Sequence, residues 1–68
     1  MHFSIEYEQE EDGRWLAEVI ELPGAMAYGA TASEAMAKAE ALALRVLAER
    51  LDCGEHKPEP ITITFKAA

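Results

Sequence analysis

The residues in this chain best suited to chemistry are carboxylates at alternate positions. Glu6 and Glu8 alternate with apolar side chains, and Glu18 sits in the next alternating run. Oxygen-rich clusters are what a hard divalent cation such as Mg2+ requires, and metal-assisted hydrolysis is the chemistry such a cluster would serve. Such a site needs acids converging from separate elements. The last apolar run, residues 61–65, contains none, so no metal site is expected around Glu6 and Glu8. Cys53 and His56 have a C-x-x-H spacing, but a structural zinc takes four ligands and only the distant His2 remains. Two copies of the chain would supply two such pairs; the alternative is an ordinary helix-end cysteine beside a loop histidine. Two histidines at opposite ends of the chain build no Ser-His-Asp or Cys-His arrangement. No catalytic activity and no cofactor are expected.

The elements that must position these residues are legible from periodicity. Phe3, Ile5 and Tyr7 alternate with Ser4, Glu6 and Glu8, the period of a strand with one buried face. Residues 11–13, Glu-Asp-Gly, form a short loop, after which Trp15, Ala17 and Val19 alternate with Leu16, Glu18 and Ile20. A three-residue loop pairs Glu10 with Arg14, and therefore Tyr7 with Ala17, Ile5 with Val19 and Glu6 with Glu18. A slip of one residue would set Ile5 against Glu18, so burial specifies the register. Trp15 then points toward the core beside Tyr7, as a packing residue.

Leu22-Pro23-Gly24 ends the second strand, because Pro23 has no N–H for a ladder. A short strand over residues 25–28 follows, then Gly29. Thr31 and Glu34 have capping-box spacing, which predicts a helix over residues 32–51. Its buried arc comprises Ala35, Ala39, Leu42, Ala43, Val46 and Leu47, with Glu34, Lys38, Arg45 and Glu49 on the wet side. Gly54 is a C-cap, and Pro58 and Pro60 stiffen the return to a strand over residues 61–65. On that strand Ile61, Ile63 and Phe65 are expected to complete the core face. The fold class is α+β: β-β-β-α-β, a four-stranded mixed sheet in the order 3-2-1-4, with one long helix on one face.

Composition bounds the function. The 68 residues carry a net charge of -7, and residues 1–21 hold seven acids against the single base Arg14. Such a field repels phosphate backbones and attracts basic partners, so direct nucleic-acid binding is not expected. One cysteine excludes an internal disulfide framework and suits a reducing, cytoplasmic compartment. Residues 1–11 have no signal-peptide pattern, and no run approaches the roughly 18 apolar residues of a membrane span. A single domain over residues 1–68 is expected.

Trp15-Leu-Ala-Glu18, Glu21-Leu-Pro-Gly24, Tyr28-Gly-Ala-Thr31 and Ser33-Glu-Ala35 follow one another behind an acidic hairpin loop. In that order and spacing, residues 3–47 resemble the N-terminal domain of HicB-like antitoxins. The resemblance implies a degenerate ribonuclease H-like fold and neutralisation of HicA, a small basic toxin that cleaves RNA. Two departures stand out: Ala25 occupies a position where many members have Cys, and nothing here reads as the C-terminal DNA-binding domain of full antitoxins. Operator binding is accordingly not carried over. The other class of reading is a stand-alone regulatory or scaffold protein that keeps the fold without a toxin.

Two surfaces are predicted to bind. The sheet face away from the helix presents Glu6, Glu8, Leu16, Glu18 and Ile20, an acidic patch with apolar flanks suited to a basic partner protein. Leu44, Leu47 and Leu51 extend past the sheet, because a helix of about 20 residues is roughly 30 Å long and six-residue strands reach only about 20 Å. These leucines are assigned to self-association as a homodimer or higher even oligomer.

Overall fold

A computed structural model describes all residues, Met1–Ala68. Four strands and one helix follow in the order β1 (His2–Gln9), β2 (Trp15–Val19), β3 (Met26–Gly29), α1 (Ala32–Asp52) and β4 (Thr62–Ala67). The sheet order is β3-β2-β1-β4, with β4 parallel to β1 and the other neighbours antiparallel.

The hairpin register is the one that burial demands. Ile5 lies opposite Val19, Glu6 opposite Glu18 and Tyr7 opposite Ala17. Glu10 N–H donates to the Arg14 carbonyl at 2.7 Å, and Gly13 closes the loop at φ +92°, a conformation glycine adopts without strain. Trp15 packs against the core with its ring centroid 6.4 Å from that of Tyr7.

The helix is fixed at its start. Thr31 accepts from the Glu34 N–H at 3.1 Å. The Glu34 carboxylate reaches back to the N–H of Ala30, the residue before the cap, at 3.4 Å, and takes Lys38 at 3.2 Å. Thr31→Ala should cost about 1 kcal/mol, lowering the melting temperature by roughly 5 °C in a thermal denaturation scan.

Nine buried residues make the core: Phe3, Ile5, Ala17, Val19, Leu22, Ala35, Ala39, Ala43 and Leu47. The alanines let helix and sheet approach closely. Three corrections follow. Leu47 is 2 % exposed, so it belongs to the core and not to an overhanging self-association surface. Ile61 and Phe65, expected in the core, are 46 % and 44 % exposed, and of this row only Ile63 packs against it. The helix lies over β1, β2 and β3. A helix is about 10 Å across while four strands span about 14 Å, so the edge strand lies beyond its cover. β4 starts at Thr62 and continues through Lys66 to Ala67, two residues past the predicted end.

The molecule is elongated, 41 × 17 × 17 Å. The 21-residue helix accounts for about 31 Å of that length. On its side away from the sheet Leu44 and Leu51 are exposed, although Leu47 between them is buried.

Candidate functional site

The sheet face away from α1 is built by the even-numbered residues of β1 and β2, because successive strand side chains alternate between faces. Register turns this into three rows. In the first, Lys66 stands beside Glu6, Glu6 opposite Glu18, and Glu18 opposite Met26. The second runs Glu8, Leu16, Tyr28. In the third, Thr64 neighbours Ser4, whose carbonyl accepts the Ile20 N–H at 2.9 Å.

All five predicted partner-binding residues, Glu6, Glu8, Leu16, Glu18 and Ile20, therefore fall on one face. Glu6 and Glu18 are half-buried and form a hydrogen-bonded cross-strand pair, whose Cα atoms lie about 5.5 Å apart. Two carboxylates so placed repel each other across the strands. Lys66 flanks Glu6 but joins no ion pair.

Sequence reasoning missed Met26, Tyr28 and Lys66. The signal for the first two was present: once Ala25 and Ala27 of the third strand turn toward the core, Met26 and Tyr28 must face away. They are 42 % and 40 % exposed and, with Ile20 and Leu16, make a continuous apolar border along the acidic centre. Tyr28 is oriented from above. The Arg14 guanidinium lies 4.3 Å from its ring centroid, and Asp12 holds Arg14 through an ion pair of 2.7 Å.

Glu21 closes the lower edge of the face. Its carboxylate accepts the Ser4 N–H at 2.6 Å where β2 has ended. That bond is the main cause of a pKa held below the ordinary glutamate range. A depressed folded-state pKa adds stability above the unfolded value near 4.3, lost as pH falls through the folded value. Glu21→Gln should therefore be less stable than the parent at pH 7 and equal to it near pH 2, as read by urea denaturation. Asp12, through the Arg14 N–H and guanidinium, and Glu34, through Lys38, are depressed too and remain in the variant.

The remaining chemical candidates stay apart. Cys53 is exposed at the helix end, with its N–H donating to the Glu49 carbonyl at 2.9 Å, and His56 is exposed in the loop beyond. His2 lies at the sheet, 3.4 Å from the Thr64 hydroxyl. No group of three or more His, Cys, Asp or Glu side chains is placed to hold a metal ion, and the surface contains no pocket. No helix is long and apolar enough to cross a membrane. The face carries acids at its centre and apolar side chains at its border. The chain matches no protein-family model, no curated protein and no solved structure.

Proposed function

We propose that this chain is a cytoplasmic protein-binding module of the HicB-like antitoxin type, with a degenerate ribonuclease H-like fold, that occludes a small basic RNA-cleaving toxin. The observation that supports it most directly is the Glu6–Glu18 pair, two acids facing each other inside a border of exposed apolar side chains. Like charges directly opposed cost stability in the free protein. A cationic side chain inserted between them relieves that repulsion and gains two charge-assisted hydrogen bonds. Leu16, Ile20, Met26 and Tyr28 supply the apolar contact around it, and the acidic field of residues 1–21 speeds the encounter. Neutralisation is stoichiometric: the module covers the toxin and does no chemistry on it.

The test pairs this chain with a short basic RNA-cleaving protein of the HicA type, sought first among the genes that neighbour its own. Mixed in equal amounts, the two should form a complex in which RNA cleavage stops. The double variant Glu6→Lys with Glu18→Lys should weaken binding more than tenfold, and the affinity of the parent should fall with added salt. Unchanged affinity in a folded double variant would move the toxin to another surface. Absence of any complex would leave the scaffold reading.

A further inference from the structure

We infer that the outward side of α1 is a self-association seam in which two copies pair their helices antiparallel about a twofold axis near Leu44. Ala37, Ala41, Leu44, Ala48 and Leu51 recur in steps of four, three, four and three residues, the spacing of a coiled-coil seam. The core already uses a different set, Ala35, Ala39, Ala43 and Leu47. At about 100° per residue, the second stripe is centred about 140° round the helix from the first. It faces away from the sheet, where Ala41 is half-buried and the other four are exposed. A surface helix ordinarily turns charge outward; this one turns two apolar stripes in two directions.

The occupant follows from charge and from the poverty of the chain's own core. Four of the nine core residues are alanines, while seven large hydrophobic side chains are exposed. A domain of this size gains stability from association. Two copies that each carry -7 repel each other through the acidic sheet face. The helix is nearly balanced, with four acids (Glu34, Glu40, Glu49, Asp52) and three bases (Lys38, Arg45, Arg50), so like copies can meet there. A twofold contact is self-complementary, and the antiparallel arrangement places Lys38 of one copy near Asp52 of the other. Alanines at alternate seam positions permit an interaxial distance near the short end of the usual range, about 8 Å. The sheet faces then point outward in both copies. The seam stands independently of what docks on that face, and assembly is measured with the chain alone.

The experiment is sedimentation equilibrium from low micromolar to millimolar concentration. The parent should reach a dimer mass. Ala41→Glu with Ala48→Glu sets four like charges in the seam, at half-buried Ala41 and exposed Ala48, with a residue that favours helix, and should raise the dimer dissociation constant more than a hundredfold with helical circular dichroism unchanged. Should that variant unfold, disulfide trapping decides. In a Cys53→Ser background, Leu44→Cys should cross-link with itself under mild oxidation. Ala37→Cys should not, because antiparallel pairing separates the two copies of that position by about 20 Å. A monomeric parent at millimolar concentration overturns the inference. So does a dimer indifferent to the glutamates, which points to β4 edge pairing, or equal cross-linking at both positions, which means parallel helices.

Discussion

Gly29→Ala is expected to remove most of the stability of this fold. Gly29 ends β3 directly beneath the first turn of α1. A Cβ there would lie 2.6 Å from the Ala35 nitrogen, 3.0 Å from the Glu34 Cβ and 3.1 Å from the Ala35 Cα. Two of those atoms are helix backbone, so no side-chain rotation relieves the clash. Relief requires lifting the N-terminal turn by several tenths of an ångström, which loosens Ala35 and Ala39 against Ala17 and disturbs the Thr31 cap at once. Overpacking of this kind costs about 3 kcal/mol, against a total of about 3–5 kcal/mol for a domain this small. A thermal scan should place the midpoint roughly 15 °C below that of the parent. Gly24→Ala is the control. A Cβ at Gly24 meets nothing within 4 Å, and only the φ of +88° resists it, a strain of about 1 kcal/mol. If the two variants melt together, helix and sheet are not in the tight contact that Gly29 permits.

What could be read from the sequence was whatever alternation and local hydrogen bonding specify. The β1–β2 register follows from one loop length and one buried face, and every pair from Ile5 to Gln9 lies where that reasoning puts it. The Thr31 cap is equally local. Ile61 and Phe65 could not be placed this way. Their alternation correctly assigns a face of β4, but whether that face is covered depends on how far one helix reaches across four strands. Sequence reasoning puts Leu47 both in the buried arc of α1 and in a self-association surface, and only the first reading holds, because how far the sheet extends beneath the helix is a tertiary fact. Lys66 was lost with the last two residues of β4, whose extent is set by pairing with Glu6 and Tyr7 and not by any signal within the strand. On the binding face, the acids were found by type and the apolar border was found only in part, because Met26 and Tyr28 gain their meaning from two successive registers.

Leu47→Ala and Leu44→Ala separate the two apolar stripes of α1. Leu47 is 2 % exposed and joins Phe3, Ile5 and Val19 in the core; Leu44, three residues earlier, is 45 % exposed. Truncating Leu47 removes three buried carbons from a core too small to close the space they leave, and should cost about 2–4 kcal/mol. That approaches the whole stability of the domain, so the variant should be largely unfolded at 37 °C in near-ultraviolet circular dichroism. Truncating Leu44 should cost under about 0.5 kcal/mol when both proteins are dilute and monomeric. Protein concentration then distinguishes the roles. Binding between copies stabilises the fold by mass action, so a residue in the seam shows a stability effect that grows with concentration, whereas a residue inside the core shows one that does not. Urea denaturation at two concentrations a hundredfold apart should return the same loss for Leu47→Ala and a widening one for Leu44→Ala. A concentration-dependent loss at Leu47 would put that residue back in the subunit contact and require the helix to sit on the sheet about one-third of a turn away from its present orientation.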